Sequence, residues 1–588
     1  MDMINLIIDG QPVQVEKGST ILDAAKKLGI EIPTLCHLHM HEIGLNNQPA
    51  SCRVCVVEVE KRRNLAPACA TPVAEGMVVH TNTPKVLEER RTVLELMLSD
   101  HPKDCLTCAK SGECDLQKVS EKMGIRKIRV TGTSQSSYPM DTSVSIVRDM
   151  NKCIMCRRCE TVCNQVQTVG ALSGVNRGFE AVVSTSFQVP LNESVCTYCG
   201  QCVQVCPVGA LTANASATDR LMEDLANPDK IVVVNTAPAV RAALGEEFGY
   251  PAGTSVTGKM VAALRKIGFD YVFDTDFAAD LTIMEEATEL AERLQKYIKG
   301  EPVAMPLMTS CCPAWVNFIE TQYPEFLDLP SSAKSPQQMF GAVAKTYFAE
   351  KLGVQREQLV VVSVMPCIAK KYEAQREEFA ADQNPDVDYS ISTHELAGLI
   401  KQFNFDLKNL AEDDFDDPLG ESTGAGVIFG KTGGVMEAAL RTAYEWLTGE
   451  TLKKVEFEEI RSTSSGIRKA AVQIGGLTVN VAVASGLGNA RKIMEEIKAG
   501  NPDHLHAVEI MACPGGCVNG GGQPYHHGDF GVIKKRQAAL CGEDAEKKLR
   551  KSHENPFIQK LYEDYMGQPG HGKAHELLHT TYAAKERV

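Results

Sequence analysis

The sequence predicts an α+β chain of several domains, in which a small β-plus-helix unit and two cysteine-rich segments precede a large α/β domain. Three observations predict it. At 588 residues the chain is several times longer than the ~100–200 residues of an ordinary single domain. Its 21 cysteines lie mostly before residue 207, in closely spaced sets. After about residue 216 the cysteines thin out, and apolar strand-like runs begin to alternate with helical ones.

The elements follow in order. Residues 4–16 alternate apolar and polar about Asp9-Gly10, the pattern of a β-hairpin, and Ser19 is placed to cap an amphipathic helix ending near Gly29. A second helix is predicted from Thr83-Pro84, through Leu87, Leu94 and Leu98, to Ser99-Asp100. Between about 134 and 215 the spacing at 153–163 recurs at 196–206, which predicts two similar halves of one small domain. Beyond 216, strand-like runs (Ile231 to Val234, Leu359 to Val364, Leu477 to Val483) alternate with helical ones (Leu281 to Ile298, Ser335 to Lys351, Val435 to Leu447), as in a largely parallel α/β domain. The acidic run Glu412 to Asp417 reads as a solvated loop.

A net charge of −14 argues against nucleic acid or an anionic membrane as the main partner, because both need a basic footprint. No stretch approaches the ~18 consecutive apolar residues of a membrane span. The opening MDMINLIIDG carries neither a basic signal region nor a twin arginine. The expectation is a soluble, cytoplasmic protein without membrane insertion. Structural disulfides are disfavoured in that reducing compartment, so the cysteines call for metal or redox chemistry.

Their spacing is specific. Cys153-x2-Cys156-x2-Cys159-x3-Cys163 is followed by Cys196-x2-Cys199-x2-Cys202-x3-Cys206-Pro207. Three thiolates at two-residue gaps let a short loop wrap one corner of an iron-sulfur cubane, while the fourth cysteine serves the other cluster. Cys153, Cys156, Cys159 and Cys206 should therefore hold one 4Fe-4S cluster, and Cys196, Cys199, Cys202 and Cys163 another. Four-cysteine zinc sites usually come as two separated pairs, which this pattern lacks. Cys36, Cys52, Cys55 and Cys69 surround the β-plus-helix unit, as for a plant-type 2Fe-2S site with altered gaps; zinc or unrelated buried cysteines are the alternatives. His101-x3-Cys105-x2-Cys108-x5-Cys114 has only three cysteines, and His101 can supply the fourth ligand because imidazole replaces thiolate in some iron-sulfur centres.

Six cysteines remain: Cys311, Cys312, Cys367, Cys513, Cys517 and Cys541. They sit in the segments Thr309-Ser310-Cys311-Cys312-Pro313, Met365-Pro366-Cys367 and Met511-Ala512-Cys513-Pro514-Gly515-Gly516-Cys517, apart from Cys541, which has no assigned role. Read alone, the three segments form either a dispersed cluster site or a set of buried structural cysteines. The glycines would let backbone approach a cluster closely.

Together with Thr282-Ile283-Met284-Glu285-Glu286-Ala287-Thr288-Glu289-Leu290, these segments closely resemble the motifs of [FeFe] (iron-only) hydrogenases, and the resemblance covers nearly the whole chain. It includes the four-cluster N-terminal array of long clostridial-type enzymes and of the catalytic subunits of NAD(P)-linked complexes. The resemblance implies a β-grasp 2Fe-2S ferredoxin-like domain at 1–80, a 4Fe-4S domain with one histidine and three cysteine ligands at 81–133, and a bacterial-type ferredoxin-like domain with two 4Fe-4S clusters at 134–215. A two-lobed α/β catalytic domain would occupy 216–588. The cofactors would be one 2Fe-2S cluster, three accessory 4Fe-4S clusters and an H-cluster, in which a 4Fe-4S cubane shares a cysteine sulfur with a diiron unit carrying carbonyl, cyanide and a dithiolate bridge.

By motif position the resemblance assigns Cys312, Cys367, Cys513 and Cys517 to the cubane, with Cys517 bridging. It leaves Cys311 as a proton relay, a role suited to a thiol whose reference pKa of about 8.5 keeps it protonated yet exchangeable. It carries the route outward through Glu286, Ser331 and Glu289 to Arg293. Lys370 matches the lysine that donates to a cyanide, and Ala237, Pro238, Pro336, Gln337, Met365, Phe429 and Met511 match the pocket. Pro514 stands where some relatives have histidine, which leaves the cubane's potential open. Implied partners are dihydrogen and protons, ferredoxin or flavin- and NAD(P)-binding subunits, and maturation proteins for the diiron unit. The N-terminal array also resembles the large iron-sulfur subunit of respiratory complex I, which suits docking to a flavoprotein.

Two glycine motifs resemble nucleotide loops only in part. Gly253-x4-Gly258-Lys259 is followed by Met260 where Ser or Thr should hold magnesium, and Gly424-x-Gly426 follows a polar stretch instead of a strand. The rival class is a nonenzymatic electron carrier or redox sensor on a hydrogenase-like fold. The intact ligand set and proton route argue for the enzyme.

Overall fold

The computed structural model describes residues 2–40, 43, 50–130, 132, 138–452, 454–457, 460–461 and 466–587. At the start, strand Met3–Ile8 pairs antiparallel with Gln11–Glu16 across Asp9-Gly10, both at positive φ (48° and 80°), as a two-residue hairpin turn requires. Met3–Ile8 also runs parallel to Met77–His80, and Val56–Val59 and Ala66–Pro67 complete a five-stranded sheet. Strand alternation turns Leu6, Ile8, Val13 and Val15 into the core shared with helix Ile21–Lys27. Thr20 caps this helix in place of the expected Ser19. A cap at 20 puts Asp23 at the third helical position, where its carboxylate accepts the Thr20 N–H at 2.9 Å while Thr20 Oγ accepts the Asp23 N–H at 3.2 Å.

Helix Pro84–Asp100 starts behind its Thr83 cap as expected. Its buried stripe is Val86, Arg90 and Leu94, whereas Leu87 faces outward. Arg90 donates twice to Val56 O, at 3.1 and 2.8 Å, which ties the helix to the sheet and delivers His101 at its C-terminal end.

The predicted repeat is visible in the backbone. Met155 and Arg157, flanking Cys156, have φ of 53° and 61°, and Tyr198 and Gly200, flanking Cys199, have 57° and 74°. Such alternations aim successive N–H groups into one concavity, a preformed cradle for an anionic cluster.

Beyond 216 the chain builds two four-stranded sheets. In the first, Tyr271–Asp274, Ile231–Thr236, Leu359–Met365 and Tyr389–Ser392 lie side by side in that order, all parallel. In the second the order is Leu307–Met308, Ala507–Met511, Leu477–Ser485 and Ile467–Ile474, parallel except for the last pair. All three expected helical runs are present, as Thr275–Ile298, Gly434–Thr448 and a continuous helical stretch from Pro336 to Leu352 with a wider turn at Ala344–Phe348. Ala237, Cys367 and Cys513 each follow the carboxyl end of a parallel strand, where open α/β sheets place their ligands.

The acidic run is more than a solvated loop. Asp413 and Asp416 pair with Arg265 at 2.8 and 2.9 Å, and Asp416 also accepts the Val272 N–H at 2.7 Å, so carboxylates satisfy the sheet edge. One apolar core runs from Leu35 and Leu94 through Val203 to Trp315, Phe318 and Ile510, joining the cysteine-rich segments to the α/β part. Among the described residues no helix is long and apolar enough to cross a membrane.

Replacing Thr20 by alanine is expected to weaken the first helix by about 1 kcal/mol. Hydrogen exchange should show faster exchange of amides 21–27 with the α/β part unchanged.

Candidate active site

The three cysteine segments converge. Cys312 caps helix Pro313–Gln322, whose first residue is a proline that cannot donate a hydrogen bond. Cys513 and Cys517 bracket Gly515 and Gly516, at φ 91° and 103°, and a side chain on Gly516 would place its Cβ 2.5 Å from Thr432 N, so only glycine lets the loop pass. Cys311, Cys367, Lys370 and Cys517 face one cavity whose walls include Ala237, Pro238, Pro336, Gln337, Met365 and Phe429. Met511 lies behind this wall, packed with Phe429 and Cys311. All the expected pocket residues are thus gathered.

The donor set fits a cluster. Burial, and then the repulsion of Cys312, pushes the Cys367 thiol up to about 12, and burial likewise raises Cys312, Cys513 and Cys517. Four mutually repelling buried sulfurs become favourable as thiolates only around cationic metal. Lys370 Nζ donates to Cys311 O at 3.1 Å and to Glu373 Oε2 at 2.8 Å. Burial opposes its charge, but Glu373, Cys311 and Cys367 together outweigh burial and the lysine's pKa is raised. Glu373 also accepts from Ser335 Oγ at 2.8 Å and Gln337 Nε2 at 3.0 Å. It is missing from the sequence reading, although its i+3 spacing from Lys370 was an available signal.

A line of polar groups leads away from Cys311. Glu286, on helix Thr275–Ile298, is buried with Oε1 lacking a hydrogen-bond partner. Burial, and then the charge of Glu289, pushes it up to about 8, so it is a neutral acid at pH 7. Burial holds Cys311 protonated, and any ionisation of the neighbouring Glu286 would raise it further. One helical turn onward, Glu289 Oε2 accepts from Ser331 Oγ at 2.7 Å and Ser332 N at 3.2 Å, while Oε1 accepts from Arg293 Nη2 at 2.6 Å. Arg293 is partly exposed. Tyr582, which the sequence reading does not single out, donates to Ser331 O at 2.7 Å.

The other cysteine sets also assemble. Cys36 contacts Cys52 and Cys69, and Cys55 contacts Cys69. His101, Cys105, Cys108 and Cys114 line one cavity, where His101 Nδ1 is buried without a partner. A Cβ on Gly209 would come within 2.5 Å of Cys108 Sγ there. Cys163 lines a cavity with Cys196, Cys199 and Cys202, while Cys206 lies near enough to Cys153, Cys156 and Cys159 to raise their thiol pKa values. Cys513 Sγ lies 3.9 Å from Cys199 O. Cys541 lies elsewhere, on helix Phe530–Glu546.

Neither glycine motif is open to a nucleotide. Lys259 Nζ is committed to Lys408 O and Leu410 O at 2.9 and 3.0 Å. Gly424 and Gly426 are packing contacts, where a Cβ would lie 2.2 Å from Asp544 Oδ1 and 2.5 Å from Asp276 O.

The model of the iron-only hydrogenase large subunit, C-terminal domain, matches residues 230–521, and that of the iron hydrogenase small subunit matches 531–585. Over 589 aligned residues, 100% of both chains, this one is 61% identical to the NADP-reducing hydrogenase subunit HndD of Solidesulfovibrio fructosivorans. The chain belongs to the iron-only hydrogenase family. It is an oxidoreductase of that family, 39% identical to iron hydrogenase 1 of Clostridium pasteurianum over 99% of this chain and 100% of that one. A variant of apo [FeFe]-hydrogenase HydA1 from Chlamydomonas reinhardtii superposes with a TM-score of 0.56 at 43% identity, over 63% of this chain and 99% of that one. Upstream, a 2Fe-2S iron-sulfur cluster binding domain matches 1–84, the NADH-ubiquinone oxidoreductase-G iron-sulfur binding region 90–129, and a 4Fe-4S dicluster domain 152–210. Iron-sulfur domains thus precede the hydrogenase domain.

The state of Glu286 is directly observable. Its carboxyl would ionise near 4.5 in the unfolded chain and about 8 in the folded one, so the folded chain holds an extra proton between those values. The stability associated with that proton falls as pH rises through the window. The protonated-carboxyl infrared band that Glu286→Gln removes should be present at pH 7 in the parent and fade as pH passes about 8.

Proposed function

We propose that this chain catalyses the reversible oxidation of dihydrogen to protons and electrons, with the chain organised as 1–80, 81–133, 134–215 and 216–588. The first unit is read as a β-grasp ferredoxin-like domain and the last as a two-lobed catalytic domain. The observation that carries the reading is the neutral buried Glu286 beside Cys311, between the cysteine-lined cavity and the Glu289–Arg293 pair at 2.6 Å. A proton generated in the cavity has a thiol, an acid and a serine-bonded carboxylate to follow.

Cys312, Cys367, Cys513 and Cys517 would hold the cubane of an H-cluster, with Cys517 shared with the diiron unit. When bound, that group supplies the metal site at which dihydrogen is split or formed. Lys370, held by Glu373, would donate to a cyanide, and the apolar wall of Ala237, Pro238, Met365 and Phe429 would exclude water. Cys311 passes the proton to Glu286 and onward through Ser331 and Glu289 toward Arg293.

Electrons would move through three accessory 4Fe-4S clusters and one 2Fe-2S cluster, entering or leaving the active site beside Cys199 and Cys513. The likeness to a subunit named as NADP-reducing supports pyridine-nucleotide-linked partner subunits, with ferredoxin as the other acceptor. The packing of both glycine motifs supports placing the nicotinamide and its flavin on a partner. Maturation proteins would install the diiron unit. Twenty-one free cysteines suit a reducing, cytoplasmic setting.

Anaerobically matured protein is expected to show carbonyl and cyanide infrared bands that shift under dihydrogen; their absence from iron-replete matured protein would leave an electron carrier as the better reading. Cys311→Ala should lower turnover by about 10²-fold or more with those bands intact. Near-normal turnover would remove Cys311 from the path.

A further inference from the structure

The segment 579–587 runs from the polar route to an accessory cluster site. Tyr582 holds Ser331 O, and Lys585 then docks on helix Pro313–Gln322, its N–H donating to Glu320 O at 2.9 Å and its Nζ to Glu320 Oε2 at 2.5 Å and Tyr372 OH at 2.8 Å. Arg587 Nη1 then donates to the backbone carbonyl of Cys196 at 3.2 Å. The guanidinium lies 5.7 and 5.8 Å from the ring centres of Tyr198 and Tyr372. The same carbonyl accepts from Asn317 Nδ2 at 3.1 Å, and Asn317 sits on the helix that Cys312 caps. One peptide oxygen is therefore clamped from two directions.

The clamp brings positive charge to this side of the cysteine site. Arg376 and Lys585 share Glu320, at 2.6 and 2.5 Å. Arg148, which also acts on Cys196, is neutralised by Asp141 at 2.9 Å. Among the described residues the partners of Arg587 are the carbonyl, Tyr372 OH at 3.4 Å and the side chain of Tyr198. A cation fixed beside a site stabilises any anion bound there. A thiolate-ligated cluster is such an anion, and its charge becomes more negative on reduction.

We propose that Arg587 is a positioning and charge-balancing residue for the 4Fe-4S cluster held by Cys163, Cys196, Cys199 and Cys202, fixing the Cys196 peptide and raising that cluster's reduction potential. The inference rests on the cluster assignment made above. Net charge and hydrogen bonding around the sulfurs are the protein's means of setting such potentials. Reduction adds one electron to the cluster, and the guanidinium favours that state without moving a proton. Because Cys199 adjoins Cys513, the affected cluster is the one that exchanges electrons with the active site.

The test is a paramagnetic-resonance redox titration of the full cluster-loaded chain, comparing the parent with Arg587→Gln and Arg587→Lys. One 4Fe-4S midpoint is expected to become more negative in R587Q, with the others unmoved and R587K lying between R587Q and the parent. Selective loss of that cluster from R587Q with retention in R587K would equally support the clamp. Unchanged midpoints in R587Q at full iron content would overturn the proposal, as would a general loss of helical signal in both variants. Absence of the 4Fe-4S signal from the parent itself would instead fault the cluster assignment.

Discussion

Buried sulfur in groups of four is the constraint on which the rest of this molecule depends. A thiol in an apolar interior is tolerable, but ionising it there is not, as the upward push on Cys156, Cys196, Cys199 and Cys367 to about 12 shows. Metal reverses the balance, because the cation offsets both burial and mutual repulsion. Folding and cluster insertion are therefore coupled, as in other metal-organised domains. The positive φ at Met155, Arg157, Tyr198 and Gly200 belongs to the same logic, since it shapes short loops around the sulfurs.

The α/β part solves a different problem, bringing cysteines more than 200 residues apart to one place. It uses the carboxyl ends of parallel strands in two sheets, so Cys367 and Cys513 arrive on rigid stems. Buried charge is then handled by pairing: Lys370 with Glu373, and Glu289 with Arg293. Glu286 is instead left uncharged by burial, and its position beside Cys311 gives that state a use in the proposed route.

Local pattern was legible in the sequence wherever cause and effect lie within a few residues. The Asp9-Gly10 hairpin, the helix behind Thr83-Pro84 and the repeated cysteine spacing all appear in the structure. The cap at Thr20 was missed by one residue because Ser19 and Thr20 are both competent, and only the reciprocal bond from Asp23 decides between them. Tyr582 and Arg587 could not be read, because they reach Ser331 and Cys196 across 251 and 391 residues of chain. Such contacts are products of packing, with no periodicity or spacing to announce them. The pocket residues were legible only through family resemblance, since a proline or alanine carries no chemical signal of its own.

The continuous core from Leu35 to Ile510 has a mechanical meaning. Gly200 meets Gly521 so closely that even a methyl group would not fit, and Gln201 and Gln204 donate across the same seam to Asn519 O and Gln523 O at 2.7 Å. Electron tunnelling falls off exponentially with distance, so a joint that flexed by an ångström or two would make the current flicker. By welding the seam, the fold trades the freedom of a hinged carrier for a constant gap, and behaves as a solid wire with no moving contact at its last junction.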